Sequence, residues 1–312
     1  MPDPSPPAYV VVGHLARDVA SGGYTPGGTA LYASLTARRL GLRVGVLTSV
    51  PRDVDLAVLE GAQVRVVPAE QATTFENRYG PDGRVQFLYG RAAPLGPADV
   101  PAAWRAAPIL HLGPIANEVD PEVAAVFPQA LTVATPQGWL RRWDGPAEGG
   151  GKRIWPLPHA HIVDRLPPLD VVVLSEEDVA GDAGAVDAYR QRARIVVLTR
   201  GAQGATVYAG QGVLHVPAFP AHEVDPTGAG DVFAAAFAIR YHKVKDLLGA
   251  ARFAAATASF VVEAPGGSAL PSLTQVEQRM AAYEPSAISR QPSASAGSAA
   301  SSAEQEPVET EG

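Results

Sequence analysis

Short runs of apolar, mostly β-branched residues recur along the chain: Tyr9-Val-Val-Val-Gly13, Arg43-Val-Gly-Val-Leu47, Gln63-Val-Arg-Val-Val67, Ile109-Leu-His-Leu112, Leu131-Thr-Val133, Val171-Val-Val-Leu174 and Ile195-Val-Val-Leu198. Most of them lack the polar alternation of a half-exposed sheet, which predicts strands buried on both faces. Stretches of helical character lie between several of them, at residues 29–40, 121–129 and 183–193. That alternation predicts an α/β three-layer sandwich with a mainly parallel central sheet.

One segment breaks the rhythm. Residues 73–79 and 84–89 read as antiparallel strands on either side of Gly80-Pro-Asp-Gly83, which predicts a small β-hairpin lid over about residues 72–91, standing off the main layers. A second hairpin is predicted from residues 205–208 and 212–216. Residues 231–241 and 245–262 are Ala-rich and apolar almost all round, as helices packed on a large sheet should be. Beyond that the composition turns to Ser, Ala, Glu and Pro without periodicity, so residues 285–312 are expected to be a disordered tail and 8–284 the folded domain.

Composition removes several functions. The net charge is -7 and hydrophobic residues make up 46% of the chain, so no basic excess exists to hold a phosphate backbone, and nucleic acid is not an expected partner. There is no Cys, which removes disulfides, thiolate nucleophiles and thiolate metal sites together. The seven His residues show no metal-ligand spacing, and no Gly-x-Ser-x-Gly hydrolase elbow is present. The first seven residues lack the pattern of a signal peptide and no apolar run approaches the ~18 residues of a membrane span, so a cytoplasmic protein without a membrane partner is expected.

The sharpest chemical signal is Asp225-Pro-Thr-Gly-Ala-Gly-Asp231, running directly into an apolar helix. Small residues let backbone approach an anion closely, and the open N–H groups and dipole of the helix start favour negative charge there. A carboxylate in that same turn makes sense if it accepts the proton of a hydroxyl attacking beside the phosphoryl group, and the helix start is expected to lower its pKa and keep it ionised. Asp231 is therefore the candidate base. Neither Gly-x4-Gly-Lys-Ser/Thr nor a Gly-x-Gly-x-x-Gly joining a first strand to a helix occurs.

Residues 225–231 resemble the C-terminal signature of the ribokinase-like (PfkB) carbohydrate kinase family. Other motifs follow in family order over roughly residues 9–284: Asp18 after an early strand, Gly27-Gly28 opening a helix, Leu174-Ser-Glu-Glu-Asp178 and Thr199-Arg-Gly-Ala-Gln-Gly204 after strands, and Gly266-Gly267 near the end. The resemblance implies a ribokinase-like kinase domain with ATP and Mg2+ as cofactors, a monovalent cation being a further candidate. It implies Asp231 as catalytic base with the N–H groups of Gly228, Ala229 and Gly230 as anion hole. Thr199, Gly201, Gly204, Thr227 and Gly267 would lie along the nucleotide, and Asp18, Gly27 and Gly28 would line the acceptor pocket.

Departures from the family pattern bear on the acceptor. Pro226 replaces the usual Thr after Asp225, and the Asn-x-x-Glu metal motif appears as Ser175-Glu-Glu-Asp178, which passes the metal role to Asp178 or Glu177. Where sugar kinases carry Lys and Asn after the glycine pair, this chain has Thr29 and Tyr32, which join the acceptor candidates, as do Gln137 and Arg141 of Thr135-Pro-Gln-Gly-Trp-Leu-Arg141. Only nine positions separate Asp18 from Gly27, so the lid is expected to be reduced to the 73–89 hairpin, which makes a monomer as plausible as the family's homodimer. The expected activity is phosphorylation of a hydroxyl of a small polyol, a sugar or cyclitol. A nucleoside or vitamin-precursor alcohol kinase, and a catalytically silent binding module of the same fold, stand as the alternatives.

Overall fold

The computed structural model describes residues 5–80, 83–179, 182, 184–283 and 289–292. Its strands in chain order are β1 (Tyr9–Val12), β2 (Ala16–Ala20), β3 (Gly23–Gly27), β4 (Val44–Val50), β5 (Gln63–Pro68), β6 (Thr73–Gly80), β7 (Gly83–Gly90), β8 (Ile109–Leu112), β9 (Leu131–Ala134), β10 (Arg141–Arg142), β11 (Ala147–Glu148), β12 (Gly151–Arg153), β13 (Trp155–Pro156), β14 (Leu169–Ser175), β15 (Ala193–Thr199), β16 (Ala205–Ala209), β17 (Gly212–Val216) and β18 (Ser289–Pro292). The α-helices are α1 (Thr29–Arg39), α2 (Ala160–Val163), α3 (Ala185–Arg190), α4 (Ala229–Val244), α5 (Leu247–Val261) and α6 (Leu273–Ala282).

Ten strands form one sheet in the order β18-β17-β16-β15-β14-β9-β8-β1-β4-β5. The seven from β15 to β5 run parallel, and β16, β17 and β18 extend the edge antiparallel. Successive β1 side chains go to opposite faces. Tyr9 and Val11 pack with α1, α4 and α5, whereas Val10 and Val12 pack with Trp104, Phe127, Ile162 of α2 and Tyr189 of α3. Both faces are therefore dry, and the strands read as continuous apolar runs for that reason. Residues 121–129, expected as a helix, form a tighter 3₁₀ segment at Pro121–Val126, opened by the Asp120 carboxylate accepting from Glu122 N–H. The edge strand β18 lies inside the segment expected to be a disordered tail, and the rest of 285–312 falls outside the described residues.

The lid is larger than the single hairpin expected. The 73–89 hairpin sits within a six-stranded sheet of order β11-β12-β7-β6-β2-β3, in which β2 and β3 pair as a second hairpin and β2 runs parallel to β6. Strand β3, Gly-Tyr-Thr-Pro-Gly, is mostly exposed and has a Gly at each end and an internal Pro, so its sequence looks like loop. No helix among the described residues is long and apolar enough to cross a membrane.

The chain leaves β1 toward β4 and β5, then returns to place β8 on the other side of β1. Such a switch point opens a crevice at the carboxyl ends of the strands. Glu118 fixes its walls: the carboxylate, 1% exposed, accepts from the backbone N–H groups of His14, Ile115 and Ala116 at 3.0, 3.0 and 2.6 Å. His14 in turn meets Thr73 Oγ1 through Nδ1 and Ala93 O through Nε2, at 2.7 and 2.8 Å, tying the crevice to the start of the lid. Glu118→Ala strands three buried donors at about 1–3 kcal/mol each, so urea unfolding should show a loss of at least about 3 kcal/mol. A loss below about 1 kcal/mol would mean that water replaces the carboxylate.

Candidate active site

A cleft of about 880 Å³ lies over the carboxyl ends of β8, β9, β14 and β15, under the lid and against the start of α4. The chain between Asp225 and α4 is shaped by its own side chains: Asp225 accepts from Thr227 N–H at 2.9 Å and from Gly266 N–H at 3.0 Å. Gly228 then caps α4 at φ 81°, and a Cβ there would fall 2.7 Å from the Tyr32 ring, so conformation and space both require glycine. Ala229 N–H donates to Pro226 O at 3.1 Å. This departs from the expected set of donors. Among the described residues, the N–H groups without a backbone acceptor at this helix start are those of Gly228, Gly230 and Asp231. Together they can receive an anion.

Asp231 stands in the first turn of α4, half-buried, with its open side toward the cleft. Thr29 Oγ1 donates to its Oδ1 at 2.7 Å. Thr29 is 1% exposed, and its methyl group fills the space that a Cβ on Gly113 would need, 2.4 Å away. Burial lifts the Asp231 carboxyl to about 6, opposed by the Thr29 hydroxyl, with the charge of Asp178 adding to the rise and Arg141 opposing it. The helix start does not hold it low as expected. Enclosure between α1, α4 and the sheet outweighs the dipole.

The remaining candidates fall into three groups. Asp18, Gly28, Thr29, Tyr32, Gln137 and Arg141 all line the cleft, and the Asp18 carboxylate lies over Gly27. Two of these also support the start of α4: Thr29 holds Asp231, and Tyr32, 3% exposed, is the platform beneath Gly228. Arg141 donates to Ile115 O at 2.9 Å with its guanidinium 5.5 Å from the centre of the Phe75 ring. Along another stretch of the cleft run Thr199, Gly201, Gly204 and Thr227, with Ala218, Phe219, Ala258 and Val262 also in its wall. The Thr199 hydroxyl is used to stitch β15 to Leu174 O of β14. Gly267 belongs to the Pro265–Gly267 turn, which is joined to the Asp225 loop through Gly266.

The third group is Glu177 and Asp178. Asp178 Oδ2 accepts from Ser175 N–H and Oγ–H at 2.8 and 2.7 Å, so this Ser-x-x-Asp closes on itself as a tight turn after β14. No cluster of three or more metal-ligating side chains occurs among the described residues. Two adjacent carboxylates on a cleft wall nonetheless fit Mg2+, which takes one or two carboxylates and completes its shell with phosphate and water.

Two lid residues escaped the reading of the sequence. Asn77 of β6 and Gln86 of β7 stand directly opposite one another, Gln86 Nε2 donates to Asn77 Oδ1 at 3.0 Å, and both line the cleft. Two amides in a hairpin carry no sequence signal, because it is the pleat that decides which face they take.

Comparison with known proteins agrees with this architecture. Residues 171–274 match the pfkB family of carbohydrate kinases. Inositol 3-kinase of Oryza sativa subsp. japonica is 32% identical over 250 residues, which cover 73% of this chain and 62% of that protein's length. A pyrophosphate-dependent kinase in the ribokinase family, solved with a pyrophosphate analog and myo-inositol, superimposes with a TM-score of 0.70 at 23% identity over 86% of this chain and 99% of its own. Ribokinase of Arabidopsis thaliana, solved with ribose and ATP, gives 0.66 at 20% identity over 88% and 99%. With the signature at the start of α4, the switch-point cleft and the lid in place, the chain has a ribokinase-like fold that carries a pfkB-family segment, and it spans 62% of the length of the Oryza sativa inositol 3-kinase it matches.

Proposed function

We propose that this protein transfers the γ-phosphoryl group of ATP to a hydroxyl of a small polyol of the sugar or cyclitol class. The observation that carries the reading is Asp231, held by Thr29 at the mouth of three open backbone N–H groups and facing the cleft. Asp231 takes the proton of the attacking hydroxyl, and the N–H groups of Gly228, Gly230 and Asp231 receive the negative charge of the transferring group. Positioning and charge neutralisation are most of what phosphoryl transfer asks. Glu177 and Asp178 would hold the magnesium that accompanies ATP, which supplies further neutralisation of phosphate charge.

The two ends of the cleft differ in character. The Ala218, Phe219, Ala258 and Val262 wall supports a nucleotide with its flat base, in preference to bare pyrophosphate. At the other end Asn77, Gln86, Gln137 and Asp18 offer donors and acceptors in alternation, which suits a ring bearing several hydroxyls. The relation to an inositol 3-kinase supports a cyclitol.

Asp231→Asn keeps an oxygen for Thr29 but cannot take a proton, so kcat should fall at least about 100-fold while ATP still binds. A variant retaining a tenth or more of the rate, ~0.1 of wild type, removes Asp231 from the base role. The raised carboxyl also bears on stability. Between the ordinary carboxylate range and about 6 the folded state holds the proton more tightly than the unfolded chain, so stability falls as pH rises through that window. At pH about 8, Asp231→Asn should therefore unfold no earlier than wild type in thermal melts.

Activity must follow the ionised base. kcat/KM should drop about tenfold per pH unit below about 6. Thr29→Val removes a bond that favours ionisation, and so should move this limb to higher pH; a limb that stays in place, or moves down, contradicts the assignment.

Asn77→Ala and Gln86→Ala should each raise the acceptor KM by about 3- to 10-fold, one lost hydrogen bond, and leave the ATP KM alone. Equal effects on both substrates would place the pair outside the acceptor pocket.

A further inference from the structure

Three buried polar side chains cross the core in a row on the sheet face that α4 covers. Tyr9 of β1 and His111 of β8 have no exposed surface, and Thr135, just past β9, has 7%. The Tyr9 hydroxyl lies 2.6 Å from His111 Nδ1, and His111 Nε2 lies 3.2 Å from Thr135 Oγ1. The row ends at the cleft, where Thr135 stands in the lining together with Gln137, Arg141 and Asp231. Proton transfer at Asp231 makes no use of it, and a polar chain set in a dry core is expensive unless every member is satisfied.

Counting hydrogens fixes its direction. Burial pushes His111 down to about 3, so the ring is neutral and carries one N–H. Burial and the nearby charge of Asp231 push Tyr9 up, so the phenol keeps its hydrogen. With Nδ1 as acceptor that hydrogen is satisfied; the other tautomer would leave it buried with nothing to receive it. Nε2 therefore carries the ring hydrogen and donates to Thr135 Oγ1. The Thr135 oxygen is thereby an acceptor within the row, and its own hydrogen is directed elsewhere. Among the described residues the Thr135 hydroxyl has no hydrogen-bond partner besides His111, so that hydrogen is left for the cleft.

We propose that Thr135 is a further acceptor-binding residue, its hydroxyl held as a hydrogen-bond donor to an oxygen of the polyol, with His111 and Tyr9 as the positioning residues that set its polarity. The assignment rests on the kinase reading. It selects for an oxygen with a free lone pair, so a hydroxyl satisfies it and an ammonium group at the same position does not.

Steady-state kinetics with ATP and a polyol panel led by myo-inositol tests it in wild type, Thr135→Val, Thr135→Ser and Tyr9→Phe. Thr135→Val should raise the acceptor KM about tenfold at an unchanged ATP KM, and Thr135→Ser should return it to within about twofold of wild type. Tyr9→Phe frees His111 to take either tautomer and should give part of the Val effect, on the same constant. An unchanged acceptor KM in Thr135→Val, a parallel rise in the ATP KM, or no rescue by Ser overturns the assignment and leaves the kinase reading standing. Failure of that reading looks different: wild type itself is silent on every polyol, and the assignment falls with it.

Discussion

The 2.7 Å hydrogen bond from Thr29 to Asp231 joins residues 202 positions apart, and the rest of the site is arranged so that it can form. Helix α1 must begin where β3 ends, which places Gly28 at its cap and Thr29 in its first turn. Gly113, at the exit of β8, must lack a side chain, since the Thr29 methyl group occupies that space. One turn along α1, Tyr32 reaches under Gly228 and sets the height at which α4 starts. A single helix thus aligns both the base and the open N–H groups above it. Substitutions on α1 that never touch a substrate should therefore act on catalysis.

What was legible in the sequence was local. Residues 225–231 declare their turn, helix start and carboxylate within seven positions, and the apolar runs declare the strands. What was not legible depends on residues far apart. Glu118 meets His14 across 104 positions, and Asn77 faces the cleft only because β6 is paired with β7 and β2 in one register. Strand β3 was lost to its glycines and proline. The misjudged carboxyl of Asp231 has the same origin: the helix start is visible locally, whereas the enclosure that outweighs it is built by α1 and the sheet. Ala229 also needed coordinates, because its N–H is consumed by the Pro226 carbonyl three residues back.

The lid and the crevice share a joint. His14 lies two residues past β1, yet its ring is bonded to Thr73 at the first residue of β6 and to Ala93 beyond β7, while its backbone N–H is held by Glu118. The base of the lid is thus pinned at the switch point of the main sheet. Asn77 and Gln86, several residues further along the two strands, lie away from that pin. The His14–Thr73 bond that fixes the root is buried, whereas the Arg78–Glu76 pair further along β6 is exposed.

The Asp231 carboxyl is lifted to about 6, and this fits the phosphate site proposed beside it. An unscreened carboxylate beside the phosphates of ATP would repel them and would itself be driven toward protonation. Two opposing charges limit this: Arg141 already favours the ionised form, and the metal expected at Glu177 and Asp178 would neutralise the phosphates. A carboxyl near 6 also accepts a proton more willingly than one at its ordinary value, while remaining mostly ionised at neutral pH. The cost falls on folding, since an ionised group is held where burial disfavours it, and Thr29 recovers part of that cost through one short bond. The same residue therefore sets how strongly the base is perturbed and where it points. This explains why a Thr, with both a hydroxyl for the carboxylate and a methyl group for the Gly113 gap, occupies the position.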